Sequence, residues 1–406
     1  MKTASLWQNH NFRMLFSASA FTNLGDGILA VAFPWFATLL TRDPLLIGMV
    51  AGARQLPWLL FSLPAGVLTD RFNRRNILLV ADSVRLGLAL AAVSLAVAAP
   101  TGNAAVYLLI GLTFLLGSAE VIRDNTAQTI LPNLVDAPQL EQANGLLWST
   151  EQLAGQFIGP PLAGYLIGFA IALPFGIEAA MLALAIGLVS TIRMPRVERA
   201  APQAFGPALK EGLAWLWQHR ILRRLAFVLG FYNFIGSMFY GVLVLYAQEV
   251  LQLSAFGYGQ LMAAQAVGGL AGSLIGPAVL RRTGPTAGLL SGVLAFTLCT
   301  SAMALSTSLW LIAPLMMLEA FGNMLWNIAS VSYRQRKIPT AMMGRVNAAF
   351  RFFGTGPASA GSLTGGAVLV AAAGLGPTAA LHLMYGIVAI CAAGMLAYSA
   401  WRLRLD

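Results

Sequence analysis

The chain is poor in charge. Of its 406 residues only 10% are Asp, Glu, Lys or Arg, while 58% are hydrophobic. A soluble domain carries about 25% charged residues, so a water-facing surface of this extent is excluded and lipid must solvate most of the chain. Lysine is confined to Lys2, Lys210 and Lys337. His10, His219 and His382 lie far apart and make no metal-ligating set. The two cysteines, Cys299 and Cys391, both fall inside apolar runs and read as small core residues rather than a disulfide. No Walker loop is present, so ATP drive is not encoded, and no nucleophile–base set suggests an enzyme. No small-residue cleavage site follows the polar opening residues, so the first apolar run is expected to stay as a span.

What charge there is has a pattern. The net charge of +10 would suit nucleic acid, but the basic residues sit in short clusters between apolar runs and form no basic domain. A transmembrane helix needs roughly 20 apolar residues. The sequence offers twelve such runs, at about 13–41, 45–69, 76–99, 103–127, 142–170, 174–192, 222–248, 256–280, 286–306, 309–332, 343–373 and 377–401. With the N-terminus in the cytoplasm and the spans alternating, 23 of the Lys and Arg residues fall on or near the inner side, Arg85 and Arg123 among them. Only Arg42 and Arg54 fall toward the outer side. This is the positive-inside pattern of a multi-pass protein of the bacterial inner membrane, with both termini cytoplasmic.

The longest loop divides the chain into a six-helix N-terminal half (1–192), a central cytoplasmic loop (193–220) and a C-terminal half (221–406). Within the loop, Phe205, Leu209, Leu213 and Leu216 recur at helical spacing beside Lys210, which predicts an amphipathic helix on the inner membrane face. The halves echo each other. Arg13 precedes Asn23 by ten residues, and Arg223 precedes Asn233 by the same distance. Pro132 leads to Asn144 as Pro339 leads to Asn347, and Pro64-Ala65 before a basic turn is matched by Pro277-Ala278 before Arg281-Arg282. A duplicated six-helix unit is a transporter architecture, with its substrate site where repeats meet.

Two motifs carry a resemblance. The loop after the second span reads Gly66-Val67-Leu68-Thr69-Asp70-Arg71-Phe72-Asn73-Arg74-Arg75 and resembles the G-x-x-x-D-R-x-G-R-R signature of the major facilitator superfamily. Asn73 stands where that family has Gly; both residue types enter left-handed backbone, which would preserve the turn. Gly155, Gly159, Pro160 and Gly164 in the fifth span resemble the G-x-x-x-G-P-x-x-G-G motif of the superfamily's drug:proton antiporters, with Tyr165 in place of the last Gly. Asn23-Leu24-Gly25-Asp26-Gly27, Leu56-Pro57-Trp58 and the stretch from Leu140 to Asn144 are similar to the macrolide-efflux and Tap-type multidrug branch. The resemblance implies an all-α membrane protein, with twelve transmembrane helices in two pseudo-symmetric six-helix halves. It also implies that Asp70, with Arg71, Arg74 and Arg75, latches the inner ends of the halves against the positive N-terminus of span eleven. The antiporters' mid-helix Arg of span four has no counterpart between Leu108 and Leu116.

An ionisable group at mid-bilayer costs roughly 2.5–3.5 kcal/mol on insertion scales and is a functional candidate. Asp26 lies 13 residues beyond Arg13, roughly 20 Å along the helix axis, with Gly25 and Gly27 beside it to admit a second helix or a ligand. Its alternative role is a structural hydrogen bond. Glu319 lies near the middle of span ten, with Asn323 and Asn327 on the same face and Trp326 close by. That set suits an organic cation or an interhelical hydrogen-bond seam. Glu151 in span five is a third candidate, for protonation or gating. Glu120, Arg123 and Asp124 read as a cytoplasmic ion-pair cluster. Arg54 is expected to pair with an acid, Asp26 being one option, and Glu178 and Glu249 to be solvated at outer helix ends. Asn23 and Asn233 join the expected substrate cavity.

The expectation is a monomeric transporter that needs no cofactor and uses the proton gradient to expel a small lipophilic or cationic substrate by alternating access. Protons and membrane lipids are its other partners, and nucleic acid is not one. An exporter of one native metabolite such as a siderophore, or a proton symporter, is the alternative.

Overall fold

The structure is a computed structural model that describes residues 6–98, 102–136, 139–193, 205–339 and 342–404. The described residues form helices α1 (His10–Leu40), α2 (Pro44–Arg71), α3 (Arg74–Ala98) and α4 (Asn103–Ile130). There follows one helical run made of α5 (Leu140–Thr150), a π-helix (Glu151–Ile158) and α6 (Gly159–Phe169). Next come α7 (Ala172–Ser190), α8 (Phe205–Gln218), α9 (Arg220–Gly241) and α10 (Leu243–Glu249). The chain ends in α11 (Ala255–Thr283), α12 (Pro285–Leu305), α13 (Leu309–Lys337), α14 (Met343–Ala371) and α15 (Pro377–Arg402). With no water to satisfy backbone groups inside lipid, helices are the expected way across.

Among the described residues, ten helical stretches are long and apolar enough to cross a membrane. The stretches at 140–169 and 343–371, read from the sequence as spans five and eleven, are helical but are not among the ten. The first carries Asn144, Glu151, Gln152 and Gln156, and the second carries Arg345, Arg351 and many small residues.

The described chain divides into two compact units. One comprises residues 1–41, 53–202 and 255–260, the other 42–52, 203–254 and 261–406. In the first, α1 packs on the π-helix and α6, and α3 packs on α4 and α7. In the second, α9 packs on α14, and α12 packs on α13 and α15. The same neighbours thus recur at equivalent positions of the two six-helix series, which is what an internal duplication produces. The two asparagines that mark the repeat do matching work. Asn23 Nδ2 donates to Thr150 Oγ1 at 2.9 Å, and Asn233 Nδ2 donates to the Gly354 carbonyl at 2.8 Å.

Small residues set how closely these helices approach. A Cβ at Gly159 would lie 2.7 Å from Cα of Gly27, and one at Gly27 would meet the Gly155 carbonyl. In the second unit a Cβ on Gly361 would meet the Phe234 carbonyl, and one on Gly365 would come 3.0 Å from that of Met238. Such contacts are how helices associate in lipid, where the hydrophobic effect gives no drive.

The signature loop is ordered by its asparagine, and here the structure departs from the expectation of a left-handed turn. Among the described non-glycine residues only Gln252 has a positive φ. Asn73 instead caps α3, its Oδ1 accepting from the backbone N–H of Arg75 at 3.0 Å and of Asn76 at 3.4 Å. Arg74 donates to Asn133 Oδ1 at 2.8 Å, and Arg75 donates to the carbonyls of Val189 and Ser190. Arg71 is exposed, and Gly66 has open space where a Cβ would be. The side chains of Asp70, Arg345 and Asn347 lie outside the described ones, so the expected latch does too. Helix α8 fills the region predicted to be amphipathic; it packs on α14, with Leu216 buried.

Candidate functional site

A cavity of about 460 Å³ opens inside the first unit. Its wall is built by α1, α2, α4, α5 and the π-helix, because each supplies polar residues to one face within an otherwise apolar run. Asp26 and Asn23 come from α1, Arg54 and Trp58 from α2, and Glu120, Arg123 and Asp124 from α4. Asn144 and Trp148 come from α5, and Glu151 and Gln156 from the π-helix. A π-helix shifts the register of the side chains beyond it and is frequent at functional sites. Glu151, its first residue, is exposed to the cavity.

An ionic network runs through the cavity wall and into the buried layer behind it. Arg85 of α3 is 1% exposed; its Nη2 donates to Asp26 Oδ1 at 2.5 Å and to Glu178 Oε1 of α7 at 3.0 Å. Arg123 pairs with Asp124 at 3.2 Å, donates to Ser19 Oγ at 3.1 Å, and lies 3.9 Å from Asp82 of α3. Arg54 pairs with Glu120 at 3.5 Å and donates to the backbone carbonyl of Asp26 at 3.4 Å. Gly25 makes room for this network, since a Cβ there would occupy the place of the Glu178 carboxyl.

Four expectations change here. Asp26 does not pair with Arg54 through its carboxylate; it pairs with Arg85. Arg85 is not an inner-side topogenic charge, because α3 begins at Arg74 and carries it three turns, about 16 Å, into the helix. Glu178 is not solvated at an outer end: α7 starts at Ala172, almost two turns earlier, and the side chain is fully buried. Glu120, Arg123 and Asp124 do not form a separate cytoplasmic cluster but line the same cavity as Asp26. Reading the sequence missed Asp82, Arg85 and Glu178 as site residues. The available signal was two opposite charges one helical turn apart in a single apolar run.

Glu319 belongs to the second unit. It is 1% exposed and accepts hydrogen bonds from Gln265 Nε2 at 2.9 Å, Tyr232 Oη at 3.3 Å and Tyr240 Oη at 3.4 Å. All these partners are neutral. Asn323 lies one turn on along α13. Trp326, expected as an aromatic wall, is buried against Gly292 and stacked on Tyr232 with centroids 5.8 Å apart. Among the described residues, Trp58 and Trp148 line the cavity of the first unit. Asn327 is exposed. Of the fifth-span motif, Gly155 lines the cavity, Gly159 and Pro160 are buried, and Gly164 is in backbone contact with Gly259. Cys299 and Cys391 are free thiols.

A family model described as transmembrane secretion effector matches residues 2–404. The chain belongs to that family. It is 29% identical over 314 residues to the multidrug efflux pump Tap of Mycobacterium tuberculosis, covering 70% of this chain and 71% of the pump. It is 26% identical to the enterobactin exporter EntS of Salmonella paratyphi A, covering 89% and 87% of the two chains. Macrolide efflux protein A of Streptococcus pyogenes is 24% identical over 55% of each chain. Among solved structures, the nucleoside transporter NupG superposes with a TM-score of 0.73 at 15% identity, covering 96% of this chain and 98% of that one. A bacterial homologue of the iron transporter ferroportin gives 0.73 at 16%, covering 97% and 100%. At these identities the structural likeness shows the fold alone, and the fold is that of the major facilitator superfamily. This member of the secretion-effector family is a multi-pass membrane transporter of small molecules and not an enzyme.

Proposed function

We propose that the chain exports a lipophilic or cationic small molecule across the bacterial inner membrane, in exchange for protons and by alternating access. The observation that carries this reading is a charge imbalance at the cavity. Six acids, Asp26, Asp82, Glu120, Asp124, Glu151 and Glu178, stand in or behind its wall against three arginines, Arg54, Arg85 and Arg123. Unpaired charge is costly in a low-dielectric interior, so a surplus of three carboxyls is made neutral by protons or by a cation. Either can be traded for the other, and the trade is antiport. Trp58 and Trp148 supply aromatic faces for an apolar or cationic ligand. Glu319, in the second unit, is the second acid assigned to proton or substrate. The likeness to multidrug and macrolide efflux proteins supports export as the direction. The distribution of basic residues supports a cytoplasmic position for both termini, and we take the chain to act as a monomer.

The test is transport of a fluorescent lipophilic cation into inverted vesicles under an imposed pH gradient. Asp26→Asn and Glu319→Gln abolish uphill movement and leave the protein folded. Undiminished accumulation in both variants removes the assignment. Export of one native metabolite such as a siderophore is the second reading, favoured by the near full-length similarity to an enterobactin exporter. A panel of dyes, macrolides and catecholates separates them: a single accepted class selects the narrow exporter.

A further inference from the structure

Arg85 holds two acids with one charge. Its Nη2 donates both to Asp26, whose side chain is 15% exposed and lines the cavity, and to Glu178, which is wholly buried behind it. One guanidinium neutralises one carboxylate. The second acid of the pair is neutral only if it carries a proton, and Oε2 of Glu178, like both oxygens of Asp82, has no hydrogen-bond partner among the described residues. Gly25 has no Cβ where that carboxyl sits, so the backbone of α1 is shaped to admit Glu178 one residue from Asp26.

We infer that substrate and proton use different carboxyls, Asp26 for the cationic substrate and Glu178 for the proton, with Arg85 passing its charge between them. The inference rests on the antiport reading above and deepens it. In the empty protein Arg85 is paired to the Asp26 carboxylate and Glu178 holds a proton, so the trio is neutral. An arriving monovalent cation pairs with Asp26, Arg85 turns wholly to Glu178, and the Glu178 proton leaves to water. The loaded trio and its ligand again sum to zero, and one proton has been exchanged for one cation. The charged groups facing Glu178 are Arg85 from α3 and Asp26 from α1, with Glu120 of α4 and Arg54 of α2 further off. Glu120 and Arg54 are themselves paired, and so add little net charge.

The experiment uses the purified full chain and tetraphenylphosphonium, a monovalent lipophilic cation. Binding is measured by tryptophan fluorescence, and proton release by an indicator dye in weakly buffered solution. The unaltered protein releases one proton per cation bound, and its affinity weakens by about tenfold for each unit of pH lowered. Glu178→Gln, which leaves Arg85 without a carboxylate once the cation takes Asp26, binds the cation more weakly, with no release and with a pH-independent affinity. Glu178→Asp restores both the release and the pH dependence. Asp26→Asn loses binding while melting like the parent. Proton release from Glu178→Gln equal to the parent's overturns the inference, as does undiminished binding by Asp26→Asn. If the unaltered protein binds the cation without releasing a proton, or fails to bind it, the antiport reading for cations itself falls.

Discussion

Replacing Arg85 with methionine tests whether the ionic trio is the electrostatic centre of the first unit. Met has comparable length and no charge, so packing is largely kept while Asp26 and Glu178 lose their shared donor. Removing one partner of a buried ion pair costs about 3–5 kcal/mol, because the remaining charge is left uncompensated. Here one guanidinium serves two acids and is itself 1% exposed, which places the expected loss at the upper end. At roughly 2 °C per kcal/mol for units of this size, the melting temperature of the detergent-solubilised protein falls by about 8–10 °C near neutral pH. Adding Asp26→Asn and Glu178→Gln to the same chain removes the stranded charges and brings stability back to within about 1–2 kcal/mol of the parent. The assay is thermal unfolding followed by tryptophan fluorescence. A single variant that melts with the parent, or a triple variant no more stable than the single, refutes the argument.

Three further outcomes are expected. Gly159→Leu drives a side chain into the Gly27 backbone, which a Cβ alone would approach to 2.7 Å; overpacking costs about 1–3 kcal/mol and lowers the monodisperse yield on size exclusion, whereas Gly87→Ala, with open space around its Cβ, leaves it unchanged. Asn73→Ala removes the cap on α3 and costs about 0.5–2 kcal/mol, while Asn73→Gly costs only a few tenths; equal or greater loss from Gly in a melting experiment would speak against the cap. Glu319→Leu strands the donors of Tyr232, Tyr240 and Gln265 and destabilises by about 1–3 kcal/mol. Glu319→Gln keeps an acceptor there and loses less, which the same melting curves resolve.

The helical membrane class was legible because it depends on composition and period. Runs such as 76–99 and 377–401 leave no other environment for their side chains, and the basic clusters read as positive-inside because those charges lie in loops. Asn23 and Asn233 announced the repeat because equivalent positions in a duplicated unit keep equivalent jobs, here a bond from the first helix of each series to the fifth. Asp26 stood out as a lone acid in an apolar run. The role of its neighbours was not visible. Arg85 looked like one more basic residue, and Glu178 like a helix-end acid, because linear position along a span cannot say which face a side chain occupies or where its helix starts.

The sequence by itself determined that this chain lives in lipid, is helical, is built from a repeat and carries acids it cannot leave unpaired. Tertiary structure alone decided which charges those acids meet. Asp26, Arg85 and Glu178 are separated by 59 and 93 residues along the chain, and they come together only because Gly25 lets α7 set a carboxyl against the backbone of α1. Electrostatic pairing falls off over a few ångströms in space, and no local pattern encodes that distance.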